Sequence, residues 1–386
     1  MTHSETNHSD LIPGFATIEG TDNYRERFEG KEIGGISIAG GHFRETAQGL
    51  SLSSLGMGTY LGGTDDLTSQ KMTTAAVRSV SSGVINVLDT AINYRYQLSE
   101  RALTKALKTL LKQGFHRNEL FICSKNGFLT PDADAQAQGQ DFKSWFQEHF
   151  LASGKITPDD IAGGMHCMAP AYLDDQLNRS LHNLGLQTLD LMYLHNAAES
   201  QIPEIGRQRF MDRLKSAFEF YERARADGRV RFYGLATWNC FRVEAEESEE
   251  FLNLETVVQL AESVGGSDHG FRFVQLPFNL AFTEALTLAS QSVEGETMSF
   301  LEAAIALDIG VFTSVPLLQG QLLKQPVPKF EGLHTPAQQC LQFVRSNPGV
   351  LAPLAGHKSL AHVEENLNVA TVPPLMLAEF EESLAP

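Results

Sequence analysis

The sequence predicts an α/β protein that folds as one closed barrel of eight parallel strands and eight helices. From residue 52 onward, short apolar runs alternate with segments whose apolar residues recur three and four positions apart, which is the spacing of a helix. This alternation occurs eight times, and eight such units close most naturally into a (β/α)8 TIM barrel. The main alternative is an open doubly wound sheet, which usually carries a GxGxxG turn after its first strand. The glycine pair at residues 56–58 is too short for that turn.

The predicted elements follow from local signals in chain order. The first strand ends within residues 55–59, and the later strands occupy residues 84–89, 120–125, 189–195, 230–237, 271–276, 310–315 and 349–354. Helices are predicted at residues 68–82, 99–113, 172–184, 209–225, 252–264, 299–307, 336–345 and 359–369. Ser99 is a typical N-cap for the second helix, and Gly185 is a typical C-cap for the third.

Two segments precede the barrel. Residues 1–30 are polar and lack a hydrophobic period, so we expect a disordered or loosely docked arm. Residues 31–51 alternate apolar and polar side chains and contain two glycine pairs, which predicts one or two β-hairpins. The hairpin region and the barrel form one predicted domain, residues 31–386.

One connection breaks the regular alternation. Residues 126–171 separate the third strand from its helix, and connections this long are usually functional lids or disordered insertions. Residues 142–151 within it are amphipathic, which favours an ordered lid. Because this insertion follows the third strand, we expect it to lie over the rim at which the parallel strands end.

Composition and charge limit the partners and the location. The net charge is −17, from 30 Lys and Arg against 47 Asp and Glu, which argues against a nucleic-acid partner and against anionic membranes. The first ten residues resemble no signal peptide, and no apolar run reaches the ~20 residues needed to span a bilayer, so the expected location is the cytoplasm. The four cysteines form no CxxC pair, and we predict neither a metal site nor a disulfide framework. The oligomeric state stays open.

Four side chains of complementary chemistry stand at or just beyond the ends of successive predicted strands. They are Asp89, Tyr94, Lys125 and His195. The carboxyl ends of parallel barrel strands meet at one rim, where the active sites of such barrels lie. An ammonium beside a phenol stabilises the phenolate and lowers the pKa of the tyrosine, so Lys125 should make Tyr94 a proton donor near neutral pH. Asp89 should keep Lys125 charged and oriented.

These and further residues match the motifs of a known family. The matching segments include residues 56–60 (Gly-Met-Gly-Thr-Tyr), 88–94 (Leu-Asp-Thr-Ala-Ile-Asn-Tyr), 99–103 (Ser-Glu-Arg-Ala-Leu), 189–195 (Leu-Asp-Leu-Met-Tyr-Leu-His) and 365–366 (Glu-Asn). From about residue 52 to 370 the chain resembles the aldo-keto reductases, which are barrel enzymes that reduce carbonyls with a nicotinamide cofactor. The resemblance implies that Tyr94 protonates the carbonyl oxygen, that Lys125 paired with Asp89 lowers its pKa, and that His195 orients the carbonyl.

The resemblance also implies residues that hold the nicotinamide half of the cofactor. Gln275 and Thr237 fall where the family binds the carboxamide, although Ala236 stands in place of a usual serine. After the seventh strand, Ser314 replaces an aromatic residue that stacks on the nicotinamide in many members, and Val315 replaces a serine for the pyrophosphate. The neighbouring Leu317 is carried over to the cofactor site with Ser314. Either Trp238 or Phe278 is a candidate for the missing aromatic face.

The segment after the eighth strand resembles the family's site for the adenosine 2′-phosphate. Lys358 and Ser359 precede a helix, where charge and free backbone N–H groups favour a phosphate. The resemblance places Asn366 on the adenine, and His362 stands where Arg or Gln is common. These residues favour NADP(H), with NAD(H) as the alternative.

Two classes of function are therefore compatible with the sequence. The first is an NADP(H)-dependent oxidoreductase that transfers hydride between the nicotinamide and an aldehyde, ketone or alcohol, with a small carbonyl compound as its partner. The second is a nicotinamide-binding subunit that senses redox state or assembles with other proteins and has little turnover. The complete set of four residues favours the enzyme, and the altered cofactor positions keep the second class open.

Overall fold

The computed structural model describes residues 11–376 and 379–380, and its centre is a closed barrel of eight parallel strands. We call these strands one to eight in chain order; they span Gly56–Gly58, Val87–Asp89, Phe121–Asn126, Leu189–His195, Val230–Ala236, Phe271–Pro277, Gly310–Ser314 and Val350–Gly356. Each strand pairs in parallel with its sequence neighbours, and strand eight closes the ring by pairing with strand one. The predicted (β/α)8 fold is confirmed.

Eight helices surround the barrel, and we call them helices one to eight. They span Asp66–Ser81, Leu98–Lys112, Pro170–Leu184, Arg207–Ala226, Leu254–Gly265, Phe300–Ala306, Pro336–Arg345 and Leu360–Leu367. Their apolar faces pack on the outside of the strands. The barrel interior is filled by side chains of the strands, including the rings of Phe121, Phe273 and Phe312, whose centroids lie 5.3 to 6.1 Å apart.

The N-terminal segment differs from the expectation of a disordered or loosely docked arm. Residues 1–10 lie outside the described residues, but Ile18–Phe28 form a helix whose N-cap, Thr17, accepts a hydrogen bond from the backbone N–H of Gly20. The hydroxyl of buried Tyr24 donates to the carbonyls of Val80 and Ile85 at 2.7 and 2.9 Å. The prediction was wrong here because a few apolar side chains in a polar segment anchor the helix through contacts distant in sequence.

The amino-terminal end of the barrel is closed by the segment around Ala16 and by two hairpins. The hairpins pair Glu32–Ile33 with Ile36–Ser37 and Phe43–Glu45 with Ser51–Ser53. The carboxylate of buried Asp190 on strand four accepts hydrogen bonds from the backbone N–H of Ala16 at 2.6 Å and from the Arg117 guanidinium at 2.7 Å. This end is therefore held by a buried ion pair, which leaves the opposite rim open for chemistry.

The insertion after strand three is folded and has its own apolar core. It contains the short helices Ala133–Ala137 and Phe142–Phe146, a π-helical turn at Gln147–Leu151, and a small antiparallel pair of strands, Ile161–Ala162 and His166–Cys167. Trp145, Phe146 and Phe150 pack with Cys167 and with Tyr172 of helix three. The insertion thus shares its core with the barrel wall.

Three further elements had no counterpart in the sequence prediction. They are the helix Ala197–Ile205 before helix four, the helix Glu284–Thr287, and the hairpin of Gln291–Val293 with Glu296–Met298. Strand two is shorter than predicted, since residues 84–86 are buried but unpaired as a strand. Throughout the part of the chain that is described, every helix is too short or too polar to cross a membrane.

Candidate active site

The rim at the carboxyl ends of the strands is organised around one buried ion pair. The ammonium of Lys125, at the end of strand three, lies 2.5 Å from a carboxylate oxygen of Asp89, at the end of strand two. The Lys125 side chain is 0% exposed and also donates to the carbonyl of Thr90 at 2.9 Å. Burial lowers the pKa of Lys125, but the Asp89 carboxylate and the Tyr94 hydroxyl outweigh that effect and raise it. Lys125 is therefore held as an ammonium.

Tyr94 stands in the turn between strand two and helix two. The next three residues, Arg95, Tyr96 and Gln97, all have positive φ, at 52°, 54° and 72°, which is uncommon for residues other than glycine. Side-chain contacts fix this turn: the Arg95 guanidinium donates to the carbonyl of Gly63 at 2.6 Å, and Gln97 donates to that of Pro131 at 3.1 Å. The surrounding structure holds a strained backbone that aims Tyr94 at the ion pair.

The phenol of Tyr94 is in contact with the ammonium, but its pKa differs from the expectation. The Lys125 ammonium lies 4.9 Å from the centroid of the Tyr94 ring, and the ring also packs against Tyr60 at 5.0 Å. Burial raises the pKa of Tyr94, and Lys125 lowers it by less, so the net direction is upward. The expected pKa near neutrality was wrong in direction, because the cost of removing a phenolate from water exceeds the gain from one ammonium. In this structure Tyr94 is a protonated phenol.

His195 is the last residue of strand four, and its ring contacts that of Tyr94. The ring centroids of Tyr94 and His195 are 5.9 Å apart at 75°, and the Phe128 ring also contacts His195 at 5.0 Å. Burial and the neighbouring Lys125 and His166 lower the pKa of His195 well below its ordinary value. The imidazole is therefore neutral, and its Nδ1 has no hydrogen-bond partner among the described residues. Strands two, three and four thus bring together the four residues selected from the sequence.

Two of the expected cofactor residues lie directly beside this group. The side-chain amide of Gln275, on strand six, donates to the second carboxylate oxygen of Asp89 at 3.1 Å. The backbone N–H of Thr237 donates to the carbonyl of Gln275 at 2.7 Å. Both side chains are buried. A ligand held by Gln275 and Thr237 would therefore lie next to Asp89 and Lys125.

The loop after strand seven is unusual in its backbone. Ser314 is half-buried at the strand end, and Val315 has a φ of 46° despite its branched side chain. The carbonyl of Val315 accepts a hydrogen bond from the Asn279 side chain at 3.0 Å, which helps to hold this conformation. Leu317 is half-buried and packs against the hydrophobic core.

The two candidates for a replacement aromatic face differ. Phe278 is 0% exposed and stacks on Phe343 in the core, with ring centroids 5.8 Å apart, so it cannot offer a face to a ligand. Trp238 is 39% exposed at the rim and packs edgewise against Phe282. Of the two, only Trp238 is left as a candidate.

Lys358 and Ser359 precede helix eight, as the sequence predicted. Lys358 is exposed, Ser359 is the N-cap residue without a side-chain cap, and Asn366 is buried further along the helix. The preceding His357 is buried, and its Nδ1 is 2.9 Å from the Ser79 hydroxyl. Its Nε2 has no partner within the described part of the chain. Free helix N–H groups and an ammonium are a donor set that fits a phosphate.

A cavity of about 390 Å³ opens at this rim, lined by Phe128 and Asn196 among others. Its walls come from the insertion (Phe128, Gly163, Met165), from the helix after strand four (Glu199, Ser200, Pro203, Glu204) and from the loops that follow strands four and five (Asn196, Trp238, Asn239). This volume is within the usual range for a small-molecule site. Its lining side chains, as far as the chain is described, include two carboxylates and neither lysine nor arginine.

Sequence reasoning missed the residues that support this rim. Glu199 accepts hydrogen bonds from the backbone N–H groups of Trp238 and Asn239, both at 2.7 Å, and so fixes the loop after strand five. His166, in the insertion, contacts the backbone of His195. No sequence motif marks either contact, since the partners are far apart in the chain. Within the described residues, no cluster of three or more His, Cys, Asp or Glu side chains could hold a metal ion.

This barrel, with its phenol, ammonium, carboxylate and imidazole on one rim, is typical of a barrel enzyme. The chain belongs to the aldo/keto reductase family, whose sequence model matches residues 54–383. Members of this family are oxidoreductases that act on carbonyl and alcohol groups. A comparison with curated proteins found no match.

Solved structures of similar fold include three enzymes. An aldo-keto reductase from Bacillus halodurans has a TM-score of 0.57 and 17% identity, and the match covers 88% of this chain and 94% of that one. An aldo-keto reductase from Klebsiella pneumoniae, solved with NADPH, has a TM-score of 0.56, 18% identity, and coverage of 88% and 93%. A glycerol dehydrogenase from Gluconobacter oxydans has a TM-score of 0.57, 15% identity, and coverage of 89% and 94%. Their likeness to this chain is one of fold.

Proposed function

We propose that the protein is an NADP(H)-dependent aldo-keto reductase that reduces an aldehyde or ketone, or oxidises the alcohol in reverse, with Tyr94 as the general acid and base. The observation that carries the proposal is the fully buried Lys125 between Asp89 and Tyr94. A buried ion pair is a weak source of stability, and an apolar pair of similar size often serves a core better. Such a pair beside a phenol is readily explained by proton transfer.

In the reduction, Tyr94 donates its proton to the carbonyl oxygen as negative charge develops there. Lys125 stabilises the resulting phenolate, and Asp89 keeps the ammonium charged and oriented. Neutral His195 donates an N–H hydrogen bond to the same oxygen, because its lowered pKa leaves one ring nitrogen protonated and not both. When bound, NADP(H) supplies or accepts the hydride at the substrate carbon.

Residues of this chain are suited to both halves of that cofactor. Gln275 and Thr237 would hold the nicotinamide carboxamide beside Asp89, while Ser314 and Leu317 would border the ring and the pyrophosphate. Lys358 and Ser359 would bind the 2′-phosphate at the start of helix eight, and Asn366 would meet the adenine. In support, the NADPH-bound enzyme from Klebsiella pneumoniae has the same fold. NAD(H) is the alternative if the 2′-phosphate is not recognised.

The cavity lined by Phe128, whose ring contacts His195, and by the following residue Asn196 is the proposed substrate site. Phe128 and Met165 come from the insertion, so the insertion forms a wall of this site. Met165 is 55% exposed and Trp238 is 39% exposed, which leaves apolar surface for a substrate. With Glu199 and Glu204 in the lining, the site should prefer carbonyl compounds that are neutral or positively charged.

Tyr94→Phe tests the proposed function directly. Removing the phenol hydroxyl should lower kcat for carbonyl reduction by roughly 10²–10⁴-fold, which is the usual contribution of general acid catalysis. The dissociation constant of NADPH, measured by quenching of tryptophan fluorescence, should stay within about twofold. A variant that keeps the wild-type kcat would refute Tyr94 as the acid. If the wild-type protein binds NADPH but oxidises it with none of the carbonyl compounds tested, the result would instead favour the redox-sensing subunit.

The pH dependence of the two directions should differ, because they need opposite forms of Tyr94. Reduction needs the protonated phenol, so its kcat should stay level up to the raised pKa and fall above it. Oxidation needs the phenolate, whose fraction grows about tenfold per pH unit below the pKa. The kcat for alcohol oxidation should therefore still rise at about pH 9. An oxidation rate that levels off near neutral pH would show that Lys125 lowers the pKa in the working enzyme.

Lys358→Ala should weaken NADPH far more than NADH. A charge-assisted hydrogen bond to phosphate contributes roughly 1.5–3 kcal/mol, which corresponds to about 10- to 150-fold in the dissociation constant. The matched control is Lys112→Ala, which removes an exposed ammonium at the far end of helix two. Equal loss of both cofactors, or an equal effect of the control, would place the 2′-phosphate elsewhere.

The charge of the substrate cavity can be tested with two benzaldehydes, one with a para-trimethylammonium group and one with a para-carboxylate. The cationic compound should have the higher kcat/KM, and Glu204→Gln should reduce the ratio by about threefold, since an exposed charge contributes less than about 1 kcal/mol. Glu262→Gln is the control for overall charge, because Glu262 is exposed in the last turn of helix five and does not line the cavity. A ratio unchanged by Glu204→Gln would remove this carboxylate from the substrate site.

A further inference from the structure

The imidazole of His195 lacks the support that a functional histidine usually has. Such a ring is commonly oriented by a hydrogen bond on its second nitrogen. The Nδ1 of His195 has no such partner among the described residues. Within the described part of the chain, the ring packs edgewise against the rings of Tyr94 and Phe128. Its orientation must then depend on the backbone at the end of strand four.

That backbone is held by His166, which the insertion supplies. The Nε2 of His166 lies 2.9 Å from the carbonyl oxygen of His195. A carbonyl only accepts, so Nε2 carries the hydrogen of the neutral ring. The Phe128 ring contacts both imidazoles edgewise, at 5.3 Å from His166 and 5.0 Å from His195. His166 therefore acts on His195 through its peptide and through the ring that packs against it.

The remaining hydrogen bonds of His166 fix its tautomer. Its Nδ1 lies 3.0 Å from the side-chain nitrogen of Gln201, and the side-chain oxygen of Gln201 accepts from Arg213 at 2.6 Å. Arginine has only donors, so the amide of Gln201 must present its N–H to His166, and His166 must present its N–H to His195. Both His166 and Gln201 are 0% exposed. The chain of donors runs in one direction, from Arg213 on helix four to the carbonyl of His195.

The close approach of His166 depends on a glycine at the start of the insertion. Gly127 has a φ of 114°, and a Cβ atom there would lie 2.6 Å from the Nε2 of His166. Glycine is thus needed for backbone and imidazole to share this space. Cys167 extends the contact, since its backbone N–H donates to the carbonyl of Gly127 at 2.8 Å. The backbone of the insertion therefore places His166 beside the last residue of strand four.

We propose that His166 is a positioning residue for His195: together with Gln201 and Arg213 it fixes the peptide at the end of strand four, and so aims the neutral imidazole at the substrate oxygen. This inference rests on the proposed function for its catalytic consequence. It gives the insertion a part in the active site beyond covering it. His166 itself contacts no reacting atom.

The test uses His166→Leu, which removes the donor, and His166→Gln, which keeps an N–H near the Nε2 position. His166→Leu should lower kcat for reduction by about 10- to 100-fold, because small misplacements of catalytic groups cost this much. His166→Gln should restore most of the rate, and NADPH affinity should not change in either. His269→Leu is the control, since His269 is also buried and lies before strand six, at the opposite end of the barrel.

A double-variant cycle separates positioning from general stability. In a His195→Asn background, His166→Leu should cause no further loss of kcat, because the group that it aims is gone. Losses that multiply, or a His166→Leu enzyme with wild-type kcat, would overturn the proposal. If His166→Leu does not fold, Gln201→Met takes its place in the cycle: it should lower kcat in the wild-type background and cause no further loss in the His195→Asn background. Losses of kcat that multiply in that cycle would also overturn the proposal.

A further measurement, by NMR, requires neither the reaction nor the cofactor. The NMR signals of the His195 imidazole in the apoprotein, assigned by their loss in His195→Asn, should shift in His166→Leu and return in His166→Gln. Unchanged His195 signals would refute positioning even if activity fell. Conversely, a wild-type protein without carbonyl reduction would refute the proposed function, while shifted His195 signals would still support the contact.

Discussion

The site depends on placing one ammonium and one carboxylate in the barrel without water. Lys125 is fully buried, and its ammonium contacts Asp89, Thr90 and Tyr94, from the adjoining strand two and the turn after it. Gln275 reaches across from strand six to the other oxygen of Asp89. Removing two charges from water costs several kcal/mol per ion, which only good geometry and further hydrogen bonds offset. The closed ring of strands provides that geometry, because it fixes the three strands relative to one another.

Much of the fold follows from patterns within short stretches of sequence. Strand four was predicted at its observed bounds, Leu189–His195, because a short run made mostly of leucine, methionine and tyrosine is typical of a buried parallel strand. The N-terminal helix was missed for the opposite reason, since its stability comes from Tyr24 reaching carbonyls more than fifty residues away. The same is true of the insertion, whose amphipathic residues indicated order but whose core is completed by Tyr172 of helix three. Local periodicity does not contain such distant contacts.

The candidate site also combines features that the sequence predicts with features that depend on contacts distant in sequence. Strand ends bring Asp89, Lys125 and His195 to one rim, and the order of a parallel barrel is enough to predict that. The direction of the Tyr94 pKa was not predictable, because it depends on how much water the folded protein removes from the phenol, set against one nearby charge. The contact between His166 and the carbonyl of His195 joins residues on different elements and also depends on the conformation of Gly127. Neither quantity is encoded in a motif.

The shared core of the insertion has a consequence for protein engineering. Loops on barrels of this kind are commonly exchanged to alter specificity, on the assumption that the barrel is an inert support. Here the aromatic core includes Tyr172 from helix three, and Arg213 from helix four donates to backbone carbonyls at Asp159 and Asp160 within the insertion. A transplant of residues 126–171 alone would leave those partners behind. The smallest segment that could be transferred with its contacts intact is therefore the insertion together with helices three and four. That segment spans two consecutive βα units.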